Sequence, residues 1–171
     1  MESLLIITGT MGAGKTSVLG EASDILALRD IVHAAIDLDA LGLAHLPSAV
    51  RTSRAMYRNL QSVRENYFSL GVRRLILARA MQDRAELALC RKIVSASNTV
   101  VCRLTASIET MQKRVKIRES GISRASYIAR ISELNAILDR DKLENFTITN
   151  ENRQLTDVAR DLLVKAGWIS N

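Results

Sequence analysis

With 171 residues, 47% of them hydrophobic and 25% charged, the chain has the composition of one ordinary globular domain, which excludes a disordered or collagen-like polymer. The formal net charge of +6 arises from 18 arginines and 6 lysines against 18 acidic residues, so the excess rests on the side chain whose planar fork matches phosphate and carboxylate oxygens. Aromatics at 4% argue against stacking platforms for single-stranded nucleic acid, and no apolar run approaches the roughly 20 residues that span a bilayer.

In chain order, Leu4–Thr8 is a continuous apolar run of strand length, as a parallel strand covered on both faces requires. A helix is predicted over about Lys15–Leu28 and a second strand over Val32–Asp37. A helix over about Arg51–Leu70 follows, with Met56, Leu60, Val63 and Tyr67 on one face. Arg73–Ala78 reads as a third strand, Asp83–Val94 as a helix, Thr99–Leu104 as a fourth strand and Ser107–Ile117 as a helix. Glu119-Ser120-Gly121 interrupts the pattern before a helix that runs to about Asp139, with Tyr127, Ile131, Leu134 and Leu138 on its apolar face. Phe146–Thr149 is a short fifth strand, and Gly167 stands where a glycine would end the last helix. Strands alternating with helices of this length predict a parallel sheet layered between helices, in one domain over residues 1–171. Cys90 and Cys102 form neither a metal spacing nor a disulfide framework, and Met1-Glu2-Ser3 opens without the basic segment of a signal peptide. A reduced, cytoplasmic setting is expected.

Between the first strand and the first helix lies Gly9-Thr10-Met11-Gly12-Ala13-Gly14-Lys15-Thr16, a complete G-x-x-x-x-G-K-T, the Walker A or P-loop motif. Glycines let successive backbone N–H groups curl inward around a phosphate, and the helix that starts there adds its positive end. Gly9, Met11, Gly12, Ala13, Gly14, Lys15, Thr16 and Ser17 are therefore the expected ATP-phosphate cradle. Lys15 is placed on the β and γ phosphates, and the Thr16 hydroxyl on Mg²⁺. A chance match in a chain of this length is about a one-per-cent event. At the end of the second strand, Asp37-Leu38-Asp39 sets two carboxylates on one side of the chain. One suits Mg²⁺ through water, and the other suits acceptance of a proton from an attacking hydroxyl; their spacing does not say which. The competing reading is that Asp39 caps a short helix and Asp37 merely faces solvent.

The P-loop followed by Asp37-x-Asp39 resembles the P-loop small-molecule kinases, which include nucleoside monophosphate kinases, shikimate and gluconate kinases, adenylylsulfate kinase and chloramphenicol phosphotransferase. The resemblance implies a three-layer α/β/α P-loop NTPase fold with a parallel sheet of about five strands and a short helical lid near residues 114–125. It also implies that Arg114, four residues before Arg118 on one helix face, lies against adenine, while Arg118 reaches the phosphates and joins Lys15, Asp37 and Asp39 in catalysis. Asn150–Gln154 matches the loop that contacts adenine in such kinases. The pattern fails at the third strand: Leu77-Ala78-Arg79-Ala80-Met81 offers no carboxylate before Asp83, which leaves the metal to Thr16, Asp37 and water. Arg79 could instead contact an acceptor anion.

The acceptor side is thinner. Arg51, Arg54 and Arg58 form a stripe opposite Met56 and Leu60 that suits either a clamp for an anionic acceptor or a solvated helix face. His33 reads as a packed residue, and His45 falls in the loop after Asp39. The resulting expectation is a phosphotransferase that moves the γ-phosphate of Mg·ATP to a small-molecule hydroxyl or phosphate acceptor, as a monomer or homodimer. It requires neither membrane nor nucleic acid. The competing reading, drawn from the basic charge, is a P-loop NTPase or polynucleotide kinase acting with nucleic acid.

Overall fold

The computed structural model describes residues 2–170. Strand β1 (Ser3–Thr8) is buried from Leu4 onward because it lies in the middle of a five-stranded sheet and is covered on both faces. Its neighbours are β3 (Arg74–Ala78) on one side and β4 (Asn98–Thr105) on the other. Beyond them lie β2 (Ala34–Asp37) and β5 (Phe146–Thr149), giving the order β2-β3-β1-β4-β5 with every pairing parallel.

The alternation along the strands sorts the core into two layers. Leu5 and Ile7 of β1 and Ile76 of β3 face α1 (Lys15–Leu28) and α6 (Leu155–Lys165), together with Met111 and Val115 of α4 (Ile108–Arg118) and Ile131 of α5 (Arg124–Asp141). Leu4, Ile6, Leu75 and Leu77 face the other way, toward α2 (Ala49–Ser69) and α3 (Arg84–Val94). This is the three-layer α/β/α arrangement expected from the sequence. Among the described residues no helix is long and apolar enough to cross a membrane.

Several boundaries have visible physical causes. Strand β2 begins at Ala34 rather than Val32, where its ladder with β3 starts opposite Leu75; the His33 ring just before it is held by the Ser23 hydroxyl and the Ile31 carbonyl, each at 2.7 Å. Helix α2 starts at Ala49 because the Ser48 hydroxyl accepts from the Arg51 N–H at 3.3 Å. On that helix Met56 and Leu60 are buried as predicted, but Phe68 rather than Tyr67 closes the apolar face. The Arg64 guanidinium lies 4.2 Å above the Phe68 ring, where cation and ring face attract. Helix α6 ends as its glycine predicts: the Trp168 N–H reaches the Leu163 carbonyl, the Gly167 N–H reaches Val164, and Gly167 holds a φ of +71°. Arg103, buried in β4, anchors α5 through Asn135 at 3.0 Å and Asp139 at 2.8 Å.

All five strands end at one edge, so Thr8, Asp37, Ala78, Thr105 and Thr149 deliver their following loops to the same place. In such sheets that edge is where ligands bind. The fully buried Leu77 tests the packing. Leu77→Ala is expected to lose about 2–5 kcal/mol of unfolding free energy in a urea titration. Ile122→Ala, at a fully exposed side chain, should change it by no more than about 0.5 kcal/mol.

Candidate active site

The loop from β1 to α1 turns through Gly9, Gly12 and Gly14 with φ of +145°, +79° and +96°, conformations that favour glycine. Space demands glycine as well: a Cβ at Gly9 would stand 2.6 Å from the Leu104 carbonyl oxygen, and one at Gly12 would run into the main chain of Met111. Helix α1 then starts from Gly14 with no side-chain cap, which leaves its first N–H groups free for an anion.

Lys15 turns back over this loop and donates from Nζ to the Thr10 carbonyl at 3.2 Å. Burial pushes its ammonium below the ordinary lysine range; the carboxylates of Asp39 and Asp37 pull the other way, and Arg118 and Arg79 add to the lowering. Next along α1, Thr16 donates to Asp37 Oδ2 at 2.7 Å, and the other oxygen of Asp37 accepts from the Asp39 N–H at 3.1 Å. Hydroxyl and carboxylate are thus paired across α1 and β2. That hard-oxygen set suits Mg²⁺ when phosphate oxygens and water complete the shell. Among the described residues no group of three His, Cys, Asp or Glu side chains forms a metal cage of its own.

Asp39 does not cap the short 3₁₀ turn that follows it. Its carboxylate receives Arg79, whose Nε also donates to Glu86 Oε1 at 2.9 Å. Burial works against the Arg79 charge, but Glu86 and Asp39 together outweigh it and hold the guanidinium firmly protonated. The same Glu86 oxygen accepts from the Tyr57 hydroxyl at 2.6 Å, and its partner oxygen accepts from the Gln82 N–H at 3.0 Å. Burial first, and then the bond to Glu86, push the Tyr57 hydroxyl far above the ordinary tyrosine range. A cleft of about 380 Å³ opens beside this network, lined by Ser53, Tyr57, Arg79, Gln82, Glu86 and Leu89. Sequence reasoning missed Tyr57 and Glu86. The available signal was Asp83-x-x-Glu86, which reads as a helix start; Asp83 does cap α3, at 2.7 Å from the Glu86 N–H, while the Glu86 side chain turns to Arg79.

On the opposite flank, Arg114 donates to the carbonyls of Gly12 at 3.2 Å and Asn150 at 2.8 Å. Arg118 lies one turn further along α4, exposed and paired with Glu119 at 2.8 Å. Arg51, Arg54 and Arg58 are exposed on α2, make no ion pair among the described residues and do not line the cleft. His45 is exposed in its loop, and His33 is packed as described above. The thiols of Cys90 and Cys102 lie within the core, where burial pushes each up to about 12.

No protein-family model matches the chain, and no curated protein is significantly similar to it in sequence. Solved structures are similar in fold. An APS kinase from Mycobacterium tuberculosis in complex with AMPPNP and APS superposes with a TM-score of 0.63 at 20% identity, covering 95% of this chain and 97% of that one. A shikimate kinase from Bacteroides thetaiotaomicron gives 0.67 at 14% identity, with coverage of 96% and 98%. A gluconokinase from Sinorhizobium meliloti gives 0.62 at 16% identity, with 96% and 91%. These structural neighbours are P-loop small-molecule kinases, and the likeness runs along nearly the whole chain.

The buried ammonium has a measurable consequence. Because the folded-state pKa of Lys15 lies below its unfolded value, the unfolded chain binds the extra proton. Stability therefore rises with pH between the lowered pKa and about 10.5, and the charge is a burden below that window. Lys15→Met should raise the thermal midpoint at neutral pH and flatten this alkaline rise relative to the wild type. A variant that was less stable and kept the same alkaline rise would contradict this account of Lys15.

Proposed function

We propose that the chain is an ATP-dependent phosphotransferase that moves the γ-phosphoryl group of Mg·ATP to a hydroxyl of a small molecule. The observation that carries this reading is the continuous line Lys15, Thr16–Asp37, Asp39–Arg79 along one sheet edge, from the phosphate cradle to a side cleft. A switch or motor needs only the cradle, whereas this line leads from it to a place where a second reactant can sit. Neighbouring structures that carry the names shikimate kinase, gluconokinase and APS kinase support the same reading.

In this reading the cradle, Gly9 and Met11 to Ser17, holds the phosphates through backbone N–H groups, and Lys15 neutralises charge on them. Bound Mg²⁺ would supply charge neutralisation at the phosphates and be held by Thr16 and Asp37. Asp39, two residues past Asp37, exposed and paired with the cleft residue Arg79, takes the proton of the acceptor hydroxyl. Arg79 fixes that carboxylate from behind. Its own charge is answered by Asp39 and Glu86, so the cleft offers hydroxyl, amide and carboxylate groups rather than a bare cation. A hydroxyl-bearing acceptor fits such a lining; an anionic group on that acceptor would have to be met by the exposed Arg51, Arg54 and Arg58. Arg118, near enough to Lys15 for its charge to be felt there, stabilises the transferring group when the segment about 114–125 closes as a lid. A cytoplasmic setting, with both thiols reduced, belongs to the same reading.

Acceptor-stimulated ADP release from Mg·ATP, over a panel of hydroxyl compounds with Lys15→Ala as blank, tests the reaction. Asp39→Asn should cut the stimulated rate by about two to four orders of magnitude while Mg·ATP still binds. Full activity in that variant would remove Asp39 from the chemistry. Asp37→Asn should instead raise the Mg²⁺ concentration needed for half-maximal rate; an unchanged Mg²⁺ requirement would overturn its place beside the metal.

A further inference from the structure

The P-loop is held from outside by two side chains that belong to other elements. Asn150, directly after β5, is buried, and its Nδ2 donates to the Ala13 carbonyl at 2.8 Å. Its own main chain is fixed on both sides, by its N–H to the Thr105 carbonyl at 2.8 Å and by Arg114 on its carbonyl oxygen at 2.8 Å. The second Nη of Arg114 reaches the Gly12 carbonyl at 3.2 Å. Two successive P-loop carbonyls, Gly12 and Ala13, are therefore pulled outward by donors from α4 and the β5–α6 loop. Packing closes the remaining gap, since a Cβ on Gly14 would run into the Asn150 amide nitrogen.

The planarity of the peptide bond turns this outward pull into an inward one. In a trans peptide the C=O and the following N–H point in opposite directions, so a carbonyl fixed outward aims the next N–H at the cradle. For the peptide after Gly12, the Ala13 N–H closes a turn onto the Thr10 carbonyl at 3.3 Å, and that carbonyl is also the one Lys15 engages. For the peptide after Ala13, the Gly14 N–H finds no acceptor among the described residues and faces into the loop. One residue further, the Glu151 carboxylate accepts from the Ser107 N–H at 3.0 Å and hydroxyl at 2.7 Å, and from the Thr110 hydroxyl, tying the same loop to the start of α4. The carbonyl-facing donors and their supports thus form one connected body.

We infer that Arg114 and Asn150 are positioning residues that clamp the Gly12 and Ala13 carbonyls outward and so fix the Thr10–Ala13 turn and keep the Gly14 N–H aimed at phosphate before any nucleotide arrives. This rests on the P-loop being the phosphate cradle. It assigns Arg114 to the phosphate end of the site, where the resemblance drawn from the sequence would set it against the base. Preorganisation of this kind acts on anything bearing the polyphosphate, whereas a base contact acts only on the nucleoside.

The two roles separate with two probes, Mg·ATP and inorganic tripolyphosphate, each titrated calorimetrically into the full chain, with far-UV circular dichroism confirming that every variant is folded. Arg114→Ala and Asn150→Asp are each expected to weaken both probes by the same factor, about tenfold or more, the scale of one lost hydrogen bond to a charged group. Asn150→Asp keeps the shape of the side chain while setting an oxygen against the Ala13 carbonyl, so it remains informative if Arg114→Ala fails to fold. Arg114→Lys, which can keep one of the two bonds, should recover part of the loss for both probes alike. Weakened Mg·ATP with unchanged tripolyphosphate would make Arg114 a base contact and overturn the clamp, as would unchanged binding of both. Wild-type protein that bound neither probe, or Lys15→Ala that bound both as tightly as wild type, would instead overturn the P-loop reading beneath it.

Discussion

An ammonium group partly withdrawn from water at the edge of a parallel sheet is unstable on its own, and the arrangement around Lys15 follows from that. Burial lowers its pKa, and the two opposing charges within reach, Asp39 and Asp37, come from the next strand in sequence. Neither is free to settle directly on Lys15, because Asp37 is turned to the Thr16 hydroxyl and Asp39 to Arg79. The lysine therefore keeps an unsatisfied preference for negative charge, the property that the proposed phosphate-binding role requires.

The loop under Lys15 is constrained from both sides by backbone rather than by bulky side chains. On the α4 side, Gly9 and Gly12 lie against the main chain of Leu104 and Met111 so closely that a methyl group does not fit. Their glycine character thus answers two demands at once, positive φ and close approach. On the β2–β3 side the constraint is register. Pairing of Asp37 with Ala78 sets Arg79 level with Leu38, one residue short of Asp39, so that its side chain can reach the Asp39 carboxylate. A slip by one residue would send Asp37 to the opposite face and break the Thr16–Asp37 and Asp39–Arg79 pairs together.

That dependence on register explains what the sequence made legible. Strand β1, helix α1 and the cradle between them could be read because each rests on local signals: an unbroken apolar run, glycine spacing and a helix start. The Asp37–Asp39 pair could be read because two-residue alternation is local too. The partner of Asp39 could not, since Arg79 meets it through the β2–β3 pairing, across 40 residues of chain, and is itself held by Glu86 after the turn into α3. Arg79 drew notice as a departure from the expected carboxylate, but nothing in its neighbours announced that two carboxylates would neutralise it. On α2, a four-three-four count led to Tyr67, whereas the burial ends on Phe68, where Arg64 and Arg73 can cover the ring. Over 21 residues a small drift of the helix face moves the last contact by one position.

The arginine excess also takes on meaning once each guanidinium has an address. Arg79 joins β3 to the carboxylates of β2 and α3, Arg103 joins β4 to α5, and Arg114 joins α4 to the P-loop and to the loop after β5. Each is a fork that satisfies acceptors on two elements at once, which the single ammonium of a lysine would do less well. A positive net charge made partly of such internal ties is weak ground for inferring a nucleic-acid surface, because those cations already face protein acceptors. Other arginines stay open to solvent: Arg51, Arg54 and Arg58 on α2 and Arg118 on α4. The interior arginines thus tie the elements together, and the exposed ones are left on helix surfaces without ion pairs to the core.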